Sequence, residues 1–259
     1  DILDGEEGDD LLNGGAWHDA LAGGAGNDEL YGETGKDTLA GGEGDDTLDG
    51  GAWDDLLVGG AGADVLNGGT GDDILVGHVI DTGDGANTDI SACAYHEALE
   101  HGYHERDAYF AMSEAEQEAF ISDALQETQV LYPGQQAGAD AGDTMDGGAG
   151  ADTICLTHDD DLAYGGSGND TFILTEWSDH VSADNDAAPQ IADYGTDSDM
   201  LVMEYLATEG AAAPVITVDT LDNGDQLVRA DGAAIVHLVS PVTAITAEDV
   251  SLVAVEVAA

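Results

Sequence analysis

Basic side chains are almost missing from this chain: three Lys and Arg stand against 56 Asp and Glu in 259 residues, a formal net charge of −53. A polyanion of that density repels phosphate backbones and acidic bilayers, which argues against nucleic acid or anionic membrane as partners. Long apolar runs are absent as well. No stretch reaches the length of a membrane span, and no basic segment leads into an apolar one as in a cleaved export signal. With only two cysteines, Cys93 and Cys155, the chain has room for a single internal disulfide. Hydrophobic residues reach 42%, but much of this is alanine and isolated leucine, so any interior is thin.

What the chain does have is a nine-residue unit, G-G-x-G-x-D-x-L-x. It starts at Gly5, Gly14, Gly23, Gly32, Gly41, Gly50, Gly59 and Gly68 without a slip. Position six is aspartate in every unit: Asp10, Asp19, Asp28, Asp37, Asp46, Asp55, Asp64 and Asp73. Position eight is always leucine, from Leu12 to Leu75, and Asp1 and Leu3 fit the end of a preceding unit. A flexible glycine linker predicts no fixed apolar position, so leucines in register argue against one. The glycines permit tight turns that expose backbone carbonyls. Carbonyls and one carboxylate per turn are hard oxygen donors, which suit Ca²⁺ and not metals that seek thiol or imidazole. The x-Leu-x segment reads as a short strand with its leucine inward. Two units make one coil, so turns eighteen residues apart stack on one edge and a cation fits between them.

These residues resemble the RTX, or hemolysin-type calcium-binding repeat, family, and the fold the resemblance implies is a parallel β-roll. The expected architecture is all-β dominated: a roll over 1–77, a helical insertion over 78–137, the roll continued over 138–174, and a β-rich cap over 175–259. The unit resumes near Gly138 with Asp143, and further units start at Gly147, with Asp152, and Gly165, with Asp170. The expected calcium ligands are the aspartates named above with Asp143, Asp152 and Asp170, and the glycines that start the units, including Gly147 and Gly165. Asp161 keeps its carboxylate in a unit, Leu156 to Tyr164, that has lost its glycines; it reads as a poor site.

Within the insertion, Ser113-Glu114-Ala115-Glu116 forms a capping box ahead of a helical stretch to about Val130, and a second helix is expected over about Ser91 to Glu100. One outward face of the roll runs through Ala20 and Ala22, Thr38 and Ala40, Leu56 and Val58, then Ile74 and Val76. It grows apolar toward the insertion, so the insertion helices or the C-terminal region are expected to cover it. The other face carries Asn13, Asp49 and Asn67 and reads as solvated. Cys155 falls on the apolar face, so docking of the first insertion helix makes a disulfide with Cys93 geometrically possible, against the alternative of two buried thiols. Asp222-Asn223-Gly224-Asp225 reads as a hairpin turn between late strands.

Catalytic signals are weak, and the chain is expected not to be an enzyme. His96-Glu97-Ala98-Leu99-Glu100-His101 misses H-E-x-x-H by one residue. His101 and His104 still share a helix face with Glu97 or Glu105 nearby, which keeps a zinc site open beside the plainer reading of a polar helix. Gly166-Ser167-Gly168 does not make a nucleophile elbow. Trp17 and Trp53 replace the position-four glycine on one edge, four repeats apart; a tolerated turn substitution is the plainer reading beside a stacked sugar site.

The resemblance implies secretion by the type I machinery of a Gram-negative bacterium, and the acidic, aliphatic tail Ala247 to Val257 looks like the signal for it. Folding would then follow export into calcium. The chain begins inside a unit and without methionine, which reads as a fragment or a processed chain. The expected role is an extracellular calcium-dependent rod in a surface layer, matrix or adhesin, with self or surface components as partners. The alternatives are the C-terminal folding and secretion module of a larger protease, lipase or epimerase, and a ligand-binding protein with a pocket around His96, His101 and His104.

Overall fold

A leucine every ninth residue, flanked by residues that alternate in direction, gives a strand too short to stand alone and forces each strand to stack on its neighbours. The computed structural model describes residues 1–77, 142–174, 188–195, 198–206 and 213–255. Strands β1 (Ile2–Asp4), β2 (Leu11–Ala16), β3 (Ala20–Ala25), β4 (Glu29–Thr34), β5 (Thr38–Glu43), β6 (Thr47–Ala52), β7 (Leu56–Ala61), β8 (Val65–Thr70) and β9 (Ile74–Val76) alternate between two sheets. Every strand of this run pairs in parallel with the one two places along. Leu30 of β4 lies beside Leu12 of β2 and Leu48 of β6, so one coil takes eighteen residues. This is the parallel β-roll that the repeat implies.

The strands are longer than the expected x-Leu-x. Most run for six residues and take in the glycine pair, as in Leu11–Ala16, because the ladder continues through Gly15 beside Glu33. The turn proper is left to positions four to six. Coil stacking is close enough there that a Cβ on Gly44 would run into the carbonyl of Gly26 one coil away.

The leucines meet between the sheets in one core: Leu12, Leu21, Leu30, Leu39, Leu48, Leu57, Leu66 and Leu75, continued by Met145, Ile154, Ala163 and Phe172. After the insertion, β10 (Thr144–Ala149), β11 (Thr153–Leu156), β12 (Leu162–Tyr164) and β13 (Thr171–Leu174) resume both stacks in phase, β10 on β8 and β11 on β9. The expected insertion helices, the His96, His101 and His104 cluster and the expected tail beyond Val255 lie outside the described residues.

The C-terminal region extends the sheets. β14 (Gln190–Ile191) adds to β12, and β15 (Met200–Leu206) adds to β13. The hairpin of β16 (Ile216–Thr220) and β17 (Gln226–Ala230) turns at Leu221 to Asp225, as its sequence predicts, with Gly224 at φ 97°. β18 (Ala233–Leu238) joins it antiparallel and meets β14 in parallel, and β19 (Val250–Val255) finishes the other sheet on β15. The buried Gln226 side chain holds this end, its Nε2 donating to the Ile245 carbonyl and its Oε1 accepting from the Ile245 N–H.

The two outer faces differ as expected. Val58, Ile74, Val76, Cys155, Ile173 and Val202 are buried on the outside of one sheet, whereas Leu11, Val65, Asn13 and Asn67 are exposed on the other. The described C-terminal strands lengthen the sheets and do not lie across the apolar face. The insertion, the other segment expected to cover it, lies outside the described residues. Cys155 is disulfide-bonded, and the only other cysteine of the chain, Cys93, is likewise outside them.

Candidate metal-binding turns

Stacking the repeat in parallel lines the position-six aspartates into two ladders. On one edge the backbone N–H of Asp10 donates to Asp28 Oδ1 at 2.8 Å, Asp28 to Asp46, Asp46 to Asp64, and Asp64 to Asp143. On the other edge Asp19 donates to Asp37, Asp37 to Asp55, Asp55 to Asp73, Asp73 to Asp152 and Asp152 to Asp170. One carboxylate oxygen of each rung is thereby spent on the backbone of the coil before it.

The second oxygen is the informative one. Oδ2 of Asp10, Asp19, Asp28, Asp37, Asp46, Asp55, Asp73 and Asp152 is buried without a hydrogen-bond partner. A native fold rarely buries one polar atom in this state, and a regular series of them calls for an ion. The surroundings fit one. A Cβ placed on Gly32 would lie 2.7 Å from Asp37 Oδ2 and 2.6 Å from the carbonyl oxygen of Gly50 in the next coil. Gly50 stands in the same way to Asp55 and Gly68, Gly68 to Asp73 and Gly147, and Gly147 to Asp152 and Gly165. Gly5, Gly23, Gly41 and Gly59 repeat the arrangement, with Asp10, Asp28, Asp46 and Asp64 beside the carbonyls of Gly23, Gly41, Gly59 and Gly77. Gly14 and Gly165 lie against Asp19 and Asp170.

The missing side chain at position one thus leaves a cradle walled by a carboxylate of one coil and a carbonyl of the next. All the donors are oxygen, the set a hard divalent cation takes. Among the described residues no three His, Cys, Asp or Glu side chains cluster as a ligand set. A cation here would be held by single carboxylates and backbone carbonyls.

Burial charges these cradles. It pushes Asp46 and Asp73 up to about 7, and Asp55 and Asp152 up to about 8, with neighbouring aspartates adding to the rise and one backbone hydrogen bond opposing it. Asp28 and Asp37 move the same way for the same first reason. Each group is short of a positive partner, either a proton or a cation.

Both ladders end in carboxylates that the chain itself satisfies. Asp161 Oδ1 accepts from Asp143 N–H, while its Oδ2 accepts from Thr157 N–H at 2.9 Å and His158 N–H at 2.8 Å. The glycine-less unit, expected to be a poor site, thus meets its carboxylate with N–H groups of its own turn. Asp199 ends the other ladder, with Oδ1 facing Asp170 N–H and Oδ2 accepting from Gly195 N–H at 2.6 Å. Asp193 closes the last coil by accepting from Gly165 N–H and Gly166 N–H, both at 2.9 Å.

Gly77 was not among the expected ligands. It holds position one for Asp143, whose Oδ2 its Cβ would strike, so the insertion splits a unit and does not fall between units. Thr157 Oγ1 stands near this cradle at the place where other coils bring a carbonyl. The clue in the sequence is Gly77 itself, which follows Val76 in phase with the eight earlier unit starts.

The sequence model of the RTX calcium-binding nonapeptide repeat matches four times, at residues 1–21, 22–55, 49–78 and 138–172. No curated protein matches the chain. None of the described helices is long and apolar enough to cross a membrane. The matched segments are the ones that carry the two aspartate ladders, and they are copies of the RTX calcium-binding nonapeptide repeat.

Proposed function

We propose that the chain acts outside a Gram-negative cell, exported by type I secretion, as a calcium-triggered structural or adhesive rod in a matrix or surface layer. The observation that carries this reading is the series of buried, unpartnered Asp Oδ2 atoms. A roll that must bury them is unstable without a cation and becomes ordered with one. Export before folding suits such a chain, because calcium is scarce inside cells and abundant outside.

A structural role is favoured over catalysis by the one compact Ser, His and Asp group among the described residues. Ser240 Oγ donates to Asp225 Oδ1, and His237 Nε2 also meets Asp225, at Oδ2. The hydroxyl is directed at the acid and not at the imidazole, so no base activates it. The group instead ties the hairpin turn to the end of β18.

Calcium titration followed by circular dichroism tests the reading. Strand signal should rise steeply with Ca²⁺ and remain low in equal Mg²⁺, since Mg²⁺ demands a small octahedral shell that spaced carbonyls do not supply. A strand signal that is full in chelator, or that Mg²⁺ restores equally well, would overturn it.

A further inference from the structure

The largest exposed side chains among the described residues stand where the repeat asks for none. Trp17 is 82% exposed and Trp53 is 60% exposed. Both occupy position four, at φ 82° and 89°, in the left-handed region that bulky residues avoid. The same position in five other units is glycine with positive φ: Gly26, Gly35, Gly44, Gly62 and Gly71. The fold therefore holds two indoles in water and in an unfavourable backbone conformation, where glycine would cost nothing. Residues kept against local preference in this way mark function more often than accident.

Register fixes their relation. Trp17 N–H donates to the Thr34 carbonyl, Gly35 N–H to the Ala52 carbonyl, and Trp53 N–H to the Thr70 carbonyl. Trp17, Gly35 and Trp53 are thus successive steps at one corner of the roll. Strands lie about 4.8 Å apart, which sets the two anchor points about 9.6 Å apart with a bare glycine between them. That span is about the length of one disaccharide. In an extended β-linked polysaccharide every second ring presents the same face, so a tryptophan on every second coil meets the same ring face twice. Aromatic faces spaced along a rigid support also suit stacked nucleobases, but a charge of −53 excludes a polyanionic strand. An uncharged polymer with flat apolar ring faces remains. Its hydroxyls would find polar groups one residue further on, where His18, Lys36 and Asp54 occupy the next position in these coils and Lys36 Nζ pairs with Asp54 Oδ2 at 2.6 Å.

We infer that Trp17 and Trp53 form a two-ring stacking platform for an uncharged β-linked polysaccharide. Glycine is the relaxed residue at this turn, so W17G and W53G remove the rings while easing the backbone, and a loss of binding is not a loss of fold. The calcium-loaded full chain is incubated with cellulose or chitin, and depletion from solution is measured. The native chain should bind one of them. Each single variant should lose at least severalfold, and the double variant more than tenfold, with circular dichroism in calcium unchanged. A native chain that binds neither polymer would overturn the inference. So would a double variant that binds as well as the native chain. Phosphatidylcholine vesicles and sedimentation of the protein alone complete the test. Tryptophan-dependent binding to vesicles, or self-association in place of polysaccharide binding, would reassign the rings to a lipid surface or to a second copy and overturn it equally.

Discussion

A single aspartate of this roll has two oxygens with different fates, and that difference sets its response to pH. Oδ1 is held by backbone, whereas Oδ2 of Asp55, Asp73 and Asp152 waits for a positive partner in the dry turn. Their carboxyls stand at about 7 to 8 in the metal-free fold, against about 3.9 in an unfolded chain. A carboxyl raised on folding favours the folded state below its unfolded pKa, and that contribution is lost as pH climbs through the folded value. In chelator the protein should therefore gain strand signal as pH falls from 8 toward 5, and calcium at pH 8 should have the same effect as protons. A chelated chain that loses strand signal on acidification across this window would contradict it. At this scale the register of the aspartates was readable in the sequence. Asp10 to Asp73 announce themselves by period alone, because each meets the same backbone in the coil before. Gly77 was missed because its aspartate, Asp143, is separated from it by the insertion: the rung from Asp64 to Asp143 spans 79 residues where 18 is the rule.

Whole elements differ in whether their turn is open or already filled. β12 follows a turn in which Thr157 and His158 give their N–H groups to Asp161, while β7 follows an open cradle at Asp55. The same substitution should separate the two. Asp55→Ala removes a wall of the ion site, so the number of calcium ions bound at saturation should fall and half-saturation should move to higher calcium. Asp161→Ala should leave the ion count unchanged and lower thermal stability by about 1–3 kcal/mol, the cost of N–H groups that lose a buried acceptor. Equilibrium dialysis gives the count and melting in excess calcium gives the stability; equal ion loss in both variants would refute the distinction. Strand positions were legible from Leu12 to Leu75 because one leucine per unit fixes the inward face. Strand lengths were not, since glycine pairs such as Gly14-Gly15 read as turn and yet extend β2. The late strands β14 and β15, expected within a β-rich cap on the open end of the roll, extend the two stacks, because Ile191 and Leu201 take the inward place beside Ala163 and Phe172 without any repeat glycines to advertise it.

For the molecule as a whole, repulsion and coordination act through different terms, and salt can tell them apart. A net charge of −53 opposes any compact state, and added monovalent salt shortens the reach of that repulsion to about 3 Å at 1 M. Screening does nothing for a buried Oδ2 at Asp37 or Asp46, because a sodium ion at the surface neither enters the cradle nor brings two charges to it. Calcium does both at once. An unfolded chain of this length has a radius of gyration of about 56 Å and a compact one about 18 Å, with a ten-strand stack of about 48 Å holding the folded value somewhat above the compact limit. X-ray scattering at pH 8 should show the chelated chain shrinking only partly in 1 M sodium chloride, with no gain in strand signal. Millimolar calcium at low salt should bring full compaction and the strand signal together. If sodium chloride alone produced both, the charge of the chain and not the coordination of its turns would govern folding, and the aspartate ladders would be ordinary surface carboxylates.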